Sequence, residues 1–152
     1  MNEKLIQYWN EIVSKDDIVF HLGDFAFCGP TKVREIKEQL NGKIILIRGN
    51  HDYESTLKLF DNVFDQLLLN LNGDLVYLNH YPFLTFADQI CYQLHGHLHL
   101  CKGENVNKYN LNSKQYDVGV DLNNYSPVSW VDIKEKLKYQ TNNSTNSYCW
   151  TI

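Results

Sequence analysis

The chain has 152 residues, 43% of them hydrophobic, with only 8 Gly and 3 Pro. This fits one domain with its own core and excludes disorder, collagen and coiled coil, while aliphatic runs such as Ile44 to Ile47 fall far short of the roughly 20 residues of a membrane span. With 14 basic and 18 acidic residues the formal charge is -4, which disfavours long nucleic acid as a partner but leaves small anionic substrates open.

Leu5, Ile6, Trp9, Ile12 and Val13 recur at helical spacing, so an amphipathic helix opens the chain. Ile18 to Leu22 is a short apolar run ending at Gly23-Asp24 and reads as a buried strand. Thr31 is the expected cap of a helix carrying Val33, Ile36 and Leu40, which Gly42 stops. Lys43 to Ile47 is the next strand, ending at Arg48-Gly49-Asn50, so strand, helix and strand form a parallel βαβ unit. A polar turn at Asn50-His51-Asp52 leads into a helix carrying Leu57 and Phe60. Leu67 to Leu71 and Leu75 to Leu78 flank Asn72-Gly73-Asp74, a hairpin signal. Ile90 to Leu94 and Tyr116 to Val120 read as further strands. Ser129 opens a last helix, with Asp132 in a capping-box position and Ile133 and Leu137 on its inner face. Parallel units first and antiparallel ones later predict a mixed α/β protein with more than one sheet. The domain is expected over 1–140, with 141–152, rich in Asn, Ser and Thr, as a solvated tail. The cysteines Cys28, Cys91, Cys101 and Cys149 show no CxxC spacing and no secretory signal precedes them, so reduced thiols in a cytoplasm are expected.

The chemistry lies just beyond the end of each strand. Asp24 comes after the first, Asn50-His51-Asp52 after the second, His80 after the hairpin, and His97 and His99 after the next. Sites in α/β sheets form beyond the carboxyl ends of strands, so these groups converge. His97 and His99, two apart, point the same way in an extended segment. Each piece alone is ordinary polar punctuation; the conjunction of carboxylate, amide oxygen and imidazoles is a pattern for a metal centre. His21 reads as a packing residue inside its strand, and His95 as shaping the turn before Gly96.

Gly23-Asp24, then Gly49-Asn50-His51-Asp52, then His80, then Gly96-His97-Leu98-His99 resemble, in order, the motifs of the calcineurin-like metallophosphoesterases, closest to the small single-domain bacterial and phage-type members. The resemblance runs from about Ile18 to His99 and continues through Val118-Gly119-Val120-Asp121. It implies an αββα sandwich of two mixed sheets flanked by helices, and hydrolysis of a small phosphate ester or phosphodiester by a metal-bound hydroxide. It implies two divalent metals, with Mn²⁺ expected first and Fe or Zn²⁺ as alternatives. Asp24 would bridge both metals, Asn50, His80 and His97 would complete the second site, and His99 would belong to the first. His51 would be the general acid, with Asp52 orienting its ring, and Arg48 is a candidate phosphate contact. Phe25, Phe27, Tyr53 and Phe83 line the expected pocket without choosing a substrate.

One departure stands out. The family's first strand ends in Asp-x-His, and no Asp-x-His occurs in this sequence. The first metal site is therefore expected to be incomplete, and the stated start to be a shortened one. An unpaired strand edge beside Ile18 to Leu22 is then expected, with self-association through it. There are two rival readings: a non-catalytic binding or scaffold protein of the same fold, and, ranked last, a small zinc-stabilised domain using His97, His99 and cysteines.

Overall fold

The computed structural model describes residues 2–99 and 111–143, with side chains at 3–99 and 111–138. Helix α1 (Asn2–Ile12) turns Trp9 towards the rest of the chain, where its Nε1 donates to the Asn41 carbonyl at 2.9 Å. Ile12, expected on the apolar face, is 58% exposed and borders a cavity. Strands β1 (Ile18–His21), β2 (Lys43–Ile47) and β3 (Val63–Phe64) form a sheet in the order β1-β2-β3, parallel throughout. Between them lie α2 (Pro30–Lys37) and the single turn α3 (Glu54–Leu57). The α2 cap is Gly29 rather than Thr31, because Pro30 takes the first helical position, where its missing N–H costs nothing and its φ is already helical.

The second sheet comprises β4 (Gln66–Leu71), β5 (Asp74–Asn79), β6 (Cys91–His95) and β7 (Gln115–Asp117), in that order. Only the hairpin pair β4–β5 is antiparallel; β5–β6 and β6–β7 are parallel. The sequence pattern overstated the antiparallel part, and the first sheet is parallel rather than mixed. Strand β7 stops at Asp117 instead of continuing to Val120, as the chain leaves the sheet in a turn where Asn124 and Tyr125 adopt φ of 55° and 60°. Helix α4 (Trp130–Asn143) follows Ser129, whose hydroxyl donates to Asp132 Oδ2 at 2.7 Å and accepts the Asp132 N–H at 3.1 Å. The helix runs through Thr141 to Asn143 of the stretch expected as a tail; 144–152 lie outside the described residues.

Packing obeys the alternation of side chains along the strands. In β2, Ile47 faces the cluster shared by Leu22, Val76, Leu78, Leu94, Ile133 and Leu137, whereas Leu46 joins Val33 and Phe60 on the other face. Each such side chain contributes about 1.5–3 kcal/mol by leaving water. Two sheets thus face each other across the main cluster and are flanked by helices, the α/β sandwich expected. Strand β1 is an edge of its sheet, and a cavity of about 580 Å³ runs along it, lined by Trp9, Ile12, Phe20, Leu78, Leu94 and Trp130 among others. Trp130 Nε1 is enclosed without a hydrogen-bond partner. No described helix is long and apolar enough to cross a membrane. Cys28 is exposed and Cys91 buried, both free thiols, while Cys101 and Cys149 lie outside the described residues.

Candidate metal centre

Two glycines let the first two strand-end loops interlock. A Cβ on Gly23, whose φ is 94°, would lie 2.5 Å from His80 Nδ1 and 2.7 Å from Gly49 Cα. A Cβ on Gly49 would lie 2.3 Å from Asp24 Oδ1. Only glycine permits this approach, which is why Asp24 and Asn50 each follow one. Asp24 itself is held at φ 55°, a left-handed conformation uncommon outside glycine.

Asp52 clamps the same loops. It is 6% exposed, and its carboxylate accepts the N–H groups of Asp24 at 2.8 Å, Phe25 at 2.9 Å and Gly49 at 2.9 Å. Asp52, expected to orient the His51 ring, commits its oxygens to backbone amides from both loops. His51 reaches Asp24 through its main chain, donating its N–H to Oδ1 at 2.8 Å. Its side chain stays exposed, with the ring 5.0 Å from that of Phe27.

The groups from separate strand ends meet at His80. Its Nδ1 lies 2.7 Å from the Leu22 carbonyl oxygen, which can only accept, so Nδ1 carries the proton. In the neutral ring Nε2 then presents a lone pair. That nitrogen faces Asn50 Oδ1 at 2.9 Å, His97 Nδ1 at 3.2 Å and Asp24 Oδ2 at 3.5 Å. Ligand atoms of Asp24, His80 and His97 all lie within 4.8 Å of one another. A proton on His97 Nδ1 relieves one of these contacts and a proton on His80 Nε2 relieves those to Asn50 and Asp24, whereas a cation among them relieves every one. The donor set of carboxylate, amide oxygen and imidazole suits Mn²⁺, Fe or Zn²⁺. Partial burial, then the neighbouring His80, lowers the pKa of His97, which favours the neutral form a metal requires.

Asp24, Asn50, His80 and His97 are thus brought together. His99 is not part of this cluster; its Nδ1 lies 3.7 Å from Asp121 Oδ2. The expectation that His97 and His99 share an extended segment is corrected, since they adopt φ of 69° and 47°. Arg48 points to Asp65, donating through Nε at 2.8 Å and through a terminal nitrogen to the same oxygen, so its guanidinium is already engaged by a carboxylate. His21 packs against Phe25 at 5.0 Å between ring centres, and burial lowers its pKa to about 4. His95 is wholly buried and likewise lowered to about 4 by burial, with Nδ1 3.0 Å from the Gly96 carbonyl.

The sequence pattern passed over Asp117. It ends β7, beside His95 in register, and shares the cavity wall with Asp24, His97, His99 and Asp121. Burial raises its carboxyl to about 6; Oδ1 accepts the Gly119 N–H at 2.8 Å, and Oδ2 is enclosed without a partner. An Asp at or just beyond a strand end, like Asp24, was the available signal.

The chain is 36% identical over 140 residues to an uncharacterized protein of Methanocaldococcus jannaschii, covering 90% of this chain and 74% of that protein. Its fold is similar to the crystal structure of a protein of unknown function from Aquifex aeolicus, with a TM-score of 0.70, 24% identity, and coverage of 89% of this chain and 84% of the other. The calcineurin-like phosphoesterase family model matches residues 2–145. With its ordered strand-end motifs and the cluster they build, this chain belongs to the calcineurin-like phosphoesterase family.

Proposed function

We propose that this protein hydrolyses a phosphate ester or phosphodiester at divalent cations held by Asp24, Asn50, His80 and His97. The observation that carries the reading is the meeting of an amide oxygen, a carboxylate and a second imidazole at Nε2 of His80. Cations at such a site lower the pKa of water and steady the attacking and leaving oxygens. The remaining roles belong to the chain. Asp24 and Asn50 are oriented by the clamp of Asp52, and His80 by the Leu22 carbonyl. His51, exposed at the rim, is the group that gives a proton to the leaving oxygen. Mn²⁺ is the cation first proposed, from the oxygen share of the ligand set, and the free Cys28 thiol suits a cytoplasmic protein.

The test is hydrolysis of simple phosphate mono- and diesters by Mn²⁺-loaded protein, together with its metal content. His51→Ala should lower turnover at least about 100-fold, the scale of a lost general acid, while metal content stays near that of wild type. Equal turnover in the two proteins would sink the mechanism.

A second reading, a binding or scaffold protein with one cation, is favoured by one observation. Among the described residues a single group, Asp24, His80 and His97, gathers its ligand atoms closely enough for a metal. Two tightly held cations per chain argue against it, and one cation with no hydrolysis supports it.

A further inference from the structure

We propose that residues 147–152, Ser-Tyr-Cys-Trp-Thr-Ile, which lie outside the described residues, form an added strand along the open edge of β1 and fill the cavity beside it. The inference does not rest on the phosphoesterase reading.

The cavity of about 580 Å³ has the walls of a core. Trp9, Phe20, Leu78, Leu94, Trp130 and Ile133 line it, and Ile12 and Ile18 at the same wall are 58% and 60% exposed. Protein interiors hold few voids larger than a water molecule, so an apolar space of this size calls for an occupant. Polar atoms in the wall narrow the choice. Among the described residues, Trp130 Nε1, Asp117 Oδ2 and His21 Nδ1 are enclosed without hydrogen-bond partners. The strand edge adds to them. Of the described strands β1 pairs only with β2, so the main-chain groups along its other side face no strand partner. A hydrocarbon occupant would leave all these groups unsatisfied. An extended peptide brings one donor and one acceptor per residue to such an edge, while its alternate side chains fill the space.

The segment 147–152 matches this seat in pattern and in reach. Tyr148, Trp150 and Ile152 alternate with Cys149 and Thr151, a period of two made largely of aromatic and β-branched residues. A buried aromatic side chain removes about 150–250 Å² from water, so Tyr148 and Trp150 suit a space walled by Trp9 and Trp130. Ser144, Thr145 and Asn146 form the polar connection to α4. The first turn of α4 stands in the cavity wall through Trp130 and Ile133, and the 14 residues of the helix carry the chain about 21 Å away. Residues 144–152, extended at about 3.3 Å each, span about 30 Å, enough to return level with that first turn. Asp24 and His97 border the same cavity, so the docked segment also shields one side of the candidate centre from water.

The test is hydrogen exchange of the full chain, read by mass spectrometry, in wild type and in Trp150→Ser/Ile152→Ser. In wild type the amides of 147–152 should exchange at least about tenfold more slowly than in the free peptide Ser-Tyr-Cys-Trp-Thr-Ile. In the double variant that protection should vanish, and exchange over Ile18 to Leu22 should rise by a similar factor while α2, packed on the other face, stays unchanged. Exchange of 147–152 at the free-peptide rate in wild type overturns the inference. Protection of 147–152 in wild type with no change over Ile18 to Leu22 in the variant overturns it too, since the segment then docks elsewhere. Protection that appears only as the chain dimerises, followed by light scattering, overturns the assignment to the same chain and gives the seat to a second copy.

Discussion

The two sheets contribute unlike halves to the candidate centre. The loops after β1 and β2 are locked by main-chain contacts: Asp52 takes three amide protons, and Gly23 and Gly49 pass each other with no room for a Cβ. The residues at the ends of β6 and β7 are less fully tied by hydrogen bonds. His97 and His99 are exposed and lie in left-handed conformations, and Asp117 keeps an enclosed oxygen without a partner. One half is therefore built without any cation, whereas the other would depend more on a cation held there. The difference separates the residues whose loss should unfold the site from those whose loss should only empty it.

The sharpest way to break the comparison is Asp52→Ala. Removing the acceptor of three buried amides should cost about 3–5 kcal/mol of unfolding free energy, read by urea denaturation, and should lower cation affinity together with stability. A variant of wild-type stability would mean the clamp is not what holds these loops. Gly49→Ala should come next. Its new Cβ meets Asp24 Oδ1, so about 2 kcal/mol of strain and weakened cation binding are expected, measured by denaturation and calorimetry. On the open half, His97→Ala should weaken cation affinity about 10–100-fold or more. The stability of the metal-free protein should stay within about 0.5 kcal/mol of wild type. Equal losses of stability in His97→Ala and Asp52→Ala would erase the distinction between the halves.

The last effect is one of pH. Burial depresses the His21 pKa from 6.5 to about 4, so below pH 6.5 the unfolded chain takes up a proton that the folded one refuses. Its contribution to stability is intact above pH 6.5 and falls as pH drops towards 4, by on the order of 3 kcal/mol. Asp117 shifts the opposite way over part of this range, so the measurement is the stability difference between metal-free wild type and His21→Phe. That difference should change with pH across this window; a flat difference would show that His21 is not held neutral.

Legibility in the sequence depended on distance along the chain. The strand ends at Gly23-Asp24, 49–52 and 95–97 could be read because an apolar run gives way locally to glycine and polar residues. The work of Asp52 could not, since two of its partners are amides 27 and 28 residues away. Asp117 was hidden because Val118 and Val120 prolong an apolar alternation after the strand has ended. The spacing of His97 and His99 suggested a period of two, but the backbone there is not extended. Arg48 stood beside the motif in sequence, yet its side chain turns to Asp65 on the next strand's approach.

The His80 hydrogen bond to Leu22 joins residues 58 positions apart, linking one sheet to the other. Neither sheet alone can form the centre, and an unfolded chain offers no comparable pocket. With a cation held there, loading and folding would be coupled equilibria, and a cation at 100 times its dissociation constant would add about 2.7 kcal/mol to the folded state. Once loaded, the strand-end loops would thereby become a brace between the sheets. The affinity of the centre measures how firmly the two sheets are joined.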